Sequence, residues 1–311
     1  KSSASCGRPC TQRDGIRSSA RLSSQDTIRP REECRAITLY EYGRSLPGRS
    51  SCTVYKDRPV LCRSSKYSVP QLHCSSMVLD GRVRERLQVK LIAFDMDGTL
   101  TDNPSSWEHI HRRFGLWEAH ADAYMKRFLA GEITYAEFSR LDALEWKGMP
   151  RRQLDAVLDE IGYAPCAREA VSAAREAGAA VALISSGLSF LASRVARELD
   201  VGYVFANELA VSDGLMTGEV VINVSIDDPA RTKGAILKQL RRTLDADKAE
   251  TWAVGDNWGD IEMLREAGRA FLVAPRPECR GRATQAAPHV ECIPDLCHLV
   301  SLIRQVSFGA V

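Results

Sequence analysis

No stretch of the 311-residue chain reaches the roughly 18 consecutive apolar residues that a membrane-crossing helix requires, so none is expected. Nor is there an apolar secretory segment or an internal repeat. Cys-x-x-Cys pairs are absent, which argues against a zinc site although the chain has ten cysteines. Cys6, Cys10, Cys34, Cys52, Cys62 and Cys74 fall in the first quarter, while Cys166, Cys279, Cys292 and Cys297 are scattered through the rest. With no secretory signal they are expected to be free thiols in a reducing, cytoplasmic setting.

Charge is unevenly distributed. Residues 1–86 carry 17 Lys and Arg against 8 Asp and Glu, whereas the remainder carries 25 against 32. Residues 1–76 form a basic Ser/Arg-rich extension with no sustained helical or alternating pattern. Segments such as Ser18-Ser19-Ala20-Arg21-Leu22-Ser23-Ser24 offer too little apolar surface to offset ordering entropy. The chain begins with Lys and its first Met is Met77. The extension is therefore expected to be disordered or mis-assigned. A targeting peptide competes with that reading, but acidic residues and the lack of an amphipathic stripe weigh against it. Arg content alone supports only non-specific phosphate contact, so no nucleic-acid partner is expected.

The informative stretch is Leu91-Ile92-Ala93-Phe94-Asp95-Met96-Asp97-Gly98-Thr99-Leu100. Its continuous apolar run predicts a buried parallel strand. Residues just past the carboxyl end of such a strand lie where open α/β sheets bind ligands. Gly98 predicts a turn immediately after the two aspartates. Carboxylates crowded there repel unless a proton or cation intervenes, and Mg²⁺, a hard ion bound by oxygen, suits that need. A solvated Asp-x-Asp-Gly turn is the bland alternative.

Helical spacing over 107–114, 119–129, 135–146 and 151–161 predicts a helical insertion at 102–161, with Thr134 and Glu137 as a capping box. His109, His111 and His120 lie in it and are expected to be surface or packing residues. Beyond it, strands are predicted at 179–184, 203–206, 251–254, 270–273 and 290–293. Helices are predicted at 168–177, 188–199, 232–244, 261–267 and from 296 to about 306. A hairpin is predicted around Ser212-Asp213-Gly214. The alternation predicts an α/β fold with a Rossmann-like doubly wound parallel sheet, its core spanning 77–101 and 162–311.

In such a sheet the strand ends converge, bringing together Asp95, Asp97, Ser185, Asp256 and Asp260, with Lys233 at a helix start. Together these suit phosphoryl transfer. A carboxylate can attack phosphorus, and cations and oriented donors balance the charge on the transferred group. Asp97 is placed to protonate the leaving oxygen and then deprotonate water. Lys233, Ser185, Ser186 and Thr99 are candidates for phosphate contact, and Asp95, Asp97 and Asp256 for Mg²⁺. Asp260 is expected to support the metal or to orient Lys233. Singly, Ser185 reads as a helix cap, Lys233 as a solvated residue and Asp256 with Asp260 as loop residues. Their joint order argues otherwise.

The stretch 91–100, then Ile184-Ser185-Ser186-Gly187, Lys233-Gly234 and Gly255-Asp256 through Asp260, resemble the four motifs of the haloacid dehalogenase superfamily. With the helical insertion, the phosphoserine phosphatase branch is the most similar. The resemblance covers about 90–306. It implies Asp95 as nucleophile, Asp97 as general acid/base, a cap at 102–161 and a small phosphorylated metabolite as substrate. It departs at the substrate positions, where Pro104 replaces a glutamate and Asp142 an arginine, with Glu108 and Arg140 nearby. In the fourth motif Asn257 replaces a glycine and Gly259 an asparagine. Two other readings stay open: a non-catalytic phospholigand-binding protein, and a phosphotransferase that passes the group to a substrate hydroxyl.

Overall fold

The computed structural model describes residues 89–308 apart from residue 276. The expected extension 1–76, with its six cysteines, lies outside the described residues. β1 (Leu91–Phe94) is followed by α1 (Ser106–Arg113), α2 (Asp122–Leu129), α3 (Tyr135–Glu145) and α4 (Arg151–Leu158). Next come α5 (Ala167–Glu176), β2 (Ala180–Leu188), α6 (Ser189–Leu199), β3 (Tyr203–Ser212), β4 (Leu215–Val221) and α7 (Lys233–Thr243). β5 (Thr251–Gly255), α8 (Ile261–Glu266), β6 (Arg269–Val273), α9 (Pro277–Ala286), β7 (Val290–Ile293) and α10 (Leu296–Phe308) complete the order.

The seven strands run β4-β3-β2-β1-β5-β6-β7 and are parallel except for β4, which pairs antiparallel with β3 at the edge. β1 is central and fully buried, as its unbroken apolar run requires. Its side chains alternate between faces. Ile92 and Phe94 pack with Val171, Val195 and Leu299 of α5, α6 and α10. Leu91 and Ala93 pack with Leu237, Leu264 and Ala283 of α7, α8 and α9. Both faces are therefore covered by helices, the doubly wound arrangement expected.

The helices α1 to α4 leave and rejoin the sheet through a narrow neck. Thr101 bridges Tyr163, the Asp102 amide donates to the Gly162 carbonyl at 3.2 Å, and Ala164 donates to Leu100 at 3.0 Å. The neck sits at the expected ends of the insertion. Opposite the neck, the Tyr135 amide donates to Asp227 Oδ2 at 2.7 Å and the Gly148 amide to Met216 O at 2.8 Å. The insertion thus also rests on the β3–β4 hairpin and the loop before α7.

Several expectations change. β3 continues from Tyr203 through Ser212 rather than pausing after Ala206, because β4 folds back along its second half. β2 runs on through Ser185, Ser186 and Gly187, with a register shift between Ile184 and Leu188. α9 has no counterpart among the expected helices. Its buried positions are the small residues Cys279 and Ala283, too weak a stripe to register among two prolines and a glycine. Thr134 does cap α3, accepting from the Glu137 amide at 3.2 Å, but the Glu137 carboxylate turns to Arg140 instead of completing a box.

The cysteines supply the main correction. Cys166 and Cys297, 131 residues apart, form a disulfide, and among the described residues Cys279 and Cys292 are free thiols. Sequence spacing could not show this, because the pair meets only where α10 packs on α5. The free-thiol argument for a reducing compartment therefore fails for this pair. Among the described residues no helix is long and apolar enough to cross a membrane. Closing so long a loop restricts the unfolded chain, a stabilisation of about 2–4 kcal/mol. Reduction, or Cys297→Ser, is expected to lower the melting temperature by several degrees; an unchanged melt would contradict the crosslink.

Candidate active site

The site is built at the carboxyl end of β1. The Asp95 amide still donates to Val254 O at 2.9 Å, holding that residue in register with β5. The chain then turns: the amides of Thr99, Leu100 and Thr101 all point at Met96 O, at 3.0 to 3.2 Å. Gly98 makes the turn at φ +82°, and a Cβ there would lie 2.6 Å from Asp256 Oδ2. Only glycine meets both demands.

Lys233, the first residue of α7, reaches into this turn. Its ammonium lies 2.5 Å from Asp95 Oδ1 and 2.6 Å from Asp260 Oδ1, and all three side chains are buried. Asp260 is itself anchored, with Oδ2 accepting the Asp256 and Asn257 amides at 3.0 and 3.1 Å. Gly255 permits this approach, since a Cβ there would sit 2.5 Å from Asp260 Cγ. Lys233 is thus no solvated helix residue, and Asp260 is no mere loop residue.

Oxygens of Asp95, Asp256 and Asp260 lie within 4.8 Å of one another. Asp97, expected among the metal-facing carboxylates, is not in this group, and Asp260 takes its place. Burial and the Asp260 charge hold Asp95 well above the ordinary carboxylate range, against the pull of Lys233. The same two causes push Asp256 up to about 7. Burial alone would lower Lys233, but Asp260 and Asp95 more than offset it, so it stays protonated. One ammonium faces three carboxylates. Fully ionised, the cluster is two charges short of neutral, which a hard divalent cation on Asp95 and Asp256 would balance.

Asp256 is only partly buried and has two donors of its own. Asn257 Nδ2 lies 2.9 Å from Oδ1, and Thr99 Oγ1 lies 3.4 Å from the same atom. The unexpected asparagine of the fourth motif thus orients Asp256, while its own Oδ1 accepts the Gly259 amide at 2.8 Å.

Ser185 does not cap α6, whose N-terminal cap residue is Leu188 with no side-chain bond. Its Oγ accepts the Gly187 amide at 3.0 Å. The next carbonyl, Ser186 O, collects three donors: Tyr135 OH at 2.8 Å, Asn207 Nδ2 at 2.9 Å and Trp107 Nε1 at 3.2 Å. Burial pushes the Tyr135 phenol up to about 12, so it remains a donor. This node ties α1 and α3 of the insertion to the end of β2. Asn207 is fixed in turn by the amides of Asn223 and Val224, each 2.9 Å from its Oδ1.

Asp97 stands beside the carboxylate cluster rather than in it. Its Oδ2 accepts from Ser106 Oγ at 2.7 Å and from the Ser106 amide at 3.0 Å, while Oδ1 is buried without a partner. Burial raises its pKa and the two Ser106 donors counter that. The histidines stay outside the site. His111 is buried 3.2 Å from Asp142 and against Trp146, His109 lies 3.2 Å from Asn103, and His120 lies 3.0 Å from Glu145.

The structure therefore brings together Asp95, Asp256, Asp260, Lys233 and Thr99, with Asp97 and Ser185 beside them. Ser106, Trp107 and Tyr135 carry no mark in the sequence. Each lies on the helical insertion and acts across at least nine residues of chain, with no local pattern to signal it.

A sequence profile of the haloacid dehalogenase-like hydrolases matches residues 92–265. The chain is 28% identical over 194 residues to a phosphoserine phosphatase of Methanocaldococcus jannaschii, covering 62% of this chain and 90% of that one. It is 35% identical over 191 residues to a phosphoserine phosphatase of Idiomarina loihiensis, covering 60% and 83% respectively. A solved phosphoserine phosphatase carrying a phospho-aspartyl intermediate analogue superposes with TM-score 0.59 at 27% identity, covering 69% of this chain and 99% of that one.

Removing one partner of a buried ion pair leaves the other charge uncompensated, at a cost of about 3–5 kcal/mol. Lys233→Met, which strands Asp95 and Asp260, is expected to lower metal-free stability by about that amount in urea melts. A loss below about 1 kcal/mol would show that Lys233 does not hold the site together.

Proposed function

Because the chain belongs to the haloacid dehalogenase-like hydrolase family, on the branch similar to phosphoserine phosphatases, we propose that it hydrolyses a small phosphomonoester through an aspartyl-phosphate on Asp95. The observation that carries this reading is the buried Lys233 ammonium shared by Asp95 and Asp260 at the end of β1. Lys233 occupies Asp95 Oδ1 and leaves the other oxygen as the nucleophile. Its charge also faces the oxygens of the transferred group. With its Oγ already accepting from Gly187, Ser185 keeps its hydroxyl proton for a phosphate oxygen, and Ser186 and Thr99 are the further candidates for phosphate contact. Asp97 donates a proton to the leaving oxygen and, in the second step, takes one from the attacking water. Asp260 fixes Lys233.

Asp95 and Asp256 would hold Mg²⁺, as the two-charge deficit of the cluster favours. Asp97, a ligand in the sequence reading, has its Oδ2 committed to Ser106. When bound, Mg²⁺ supplies positive charge against the transferred phosphoryl group. The helical insertion at 102–161 serves as the cap, hinged at the Thr101–Tyr163 neck and closed by the donors on Ser186 O.

Serine recognition is a separate matter. Glu108 lies 2.7 Å from Arg112, and Arg140 lies 2.8 Å from Glu137, each pair exposed on its own helix. Pro104 carries no charge, and Asp142 is buried against His111. The two groups that would hold the amine and carboxylate of phosphoserine are thus engaged elsewhere, and the reading is for a small phosphorylated metabolite rather than phosphoserine in particular.

Phosphate release with Mg²⁺, from phosphoserine and a set of sugar and alcohol phosphates, is the direct test. Turnover of at least one ester is expected, falling to background in Asp95→Asn, and silence on the whole set would favour a binding-only protein. EDTA is expected to abolish activity and Mg²⁺ to restore it. Activity that persists in EDTA would remove the metal assignment.

A further inference from the structure

Two adjacent serines at the start of α1 divide their labour. Ser105 is the helix cap, its Oγ accepting the Glu108 amide at 3.2 Å. Ser106, the first helical residue, therefore need not cap anything. Its side chain is fully buried, and its hydroxyl and amide both donate to one oxygen of Asp97, at 2.7 and 3.0 Å. The other oxygen, Oδ1, is buried with no partner. Space around the carboxylate is tight as well: a Cβ on Gly187 would lie 2.6 Å from Asp97 Oδ2 and 3.0 Å from Ser106 Oγ. The carboxylate is held in one orientation, with one oxygen fully engaged and one left over.

We propose that Ser106 is a positioning residue that fixes Asp97 so that Oδ1 is the oxygen that exchanges the proton. This rests on the reading of Asp97 as the acid/base of the phosphatase. In the first step an Asp95 oxygen bonds to phosphorus, the bond to the leaving oxygen breaks, and the proton on Asp97 Oδ1 passes to that oxygen. In the second, water bonds to phosphorus, its proton returns to Asp97 Oδ1, and the Asp95–phosphorus bond breaks to release phosphate. Without the Ser106 hydroxyl the carboxylate can rotate, and the proton is no longer presented to the leaving group. Because Ser106 opens the helical insertion, the arrangement also makes proton transfer depend on the seating of α1. Alanine keeps the helix and the amide bond, so it isolates the hydroxyl.

The test exploits leaving-group chemistry. An alkyl phosphate needs its leaving oxygen protonated, whereas p-nitrophenyl phosphate departs as a stabilised phenolate. The kinetic constant to compare is kcat/KM, which reports the first step. For Ser106→Ala, kcat/KM on an alkyl phosphate turned over by the wild type is expected to fall about 10- to 100-fold. On p-nitrophenyl phosphate it is expected to change less than about threefold, since that ester needs little acid assistance. Ser106→Cys, near-isosteric but a weak donor, is expected to show the same split, with thermal melts confirming the fold of both variants. Equal losses on the two esters, or no loss on the alkyl ester, would overturn the proposal. Wild-type silence on both esters would instead bring down the phosphatase reading, and this proposal with it.

Discussion

One buried ammonium organises the site. Lys233 arrives from the start of α7 to meet Asp95 at the end of β1 and Asp260 beyond the end of β5. Three segments distant in sequence are thereby fixed to within a hydrogen bond of one another. A lysine desolvated to this degree keeps its charge only because two carboxylates flank it, and the carboxylates remain close only because the lysine separates them. The surrounding backbone fits this contact. Gly255 has no side chain because Asp260 needs the space, and Gly98 turns the chain away where Asp256 approaches. Gathering three carboxylates around one ammonium leaves a deficit of positive charge that a bound cation would balance.

A second set of bonds joins the insertion to the sheet. The Ser186 carbonyl is the meeting point of Trp107, Tyr135 and Asn207, so the insertion closes on the same short segment that carries Ser185. Seating of α1 and α3 and the shape of the phosphate-facing loop are therefore coupled through one acceptor. The neck at Thr101 and Tyr163 is made of backbone bonds between the segments that enter and leave the insertion. Two charged residues of the insertion, expected near the substrate, are engaged on their own helices: Glu108 and Arg140 pair with their own neighbours.

Much of this is legible in the sequence, for definite reasons. β1 stands out because a strand buried on both faces is apolar throughout, and Asp95, Lys233 and Asp256 are found because they follow strands or begin a helix in a fixed order. The insertion helices fall within a few residues of their expected places, and the apolar stripes of α1 and α4 are clear. What stays hidden depends on tertiary proximity. The Cys166–Cys297 pair forms only when α10 packs on α5, and Ser106 is singled out only by its bond to Asp97. Asp260 is ambiguous between metal and lysine because either needs an acid at that position, and only the geometry divides its two oxygens between Lys233 and the loop amides. α9 escapes notice because small residues carry its buried face.

The central claim is that Asp95 becomes phosphorylated during turnover. The most direct measurement is acid-quench of the protein with a turned-over ester carrying radiolabelled phosphate, followed by peptide mapping. Transient label, lost in base as an acyl phosphate should be, is expected on the peptide containing Asp95. Turnover with no labelled protein, or label on any other residue, would contradict it.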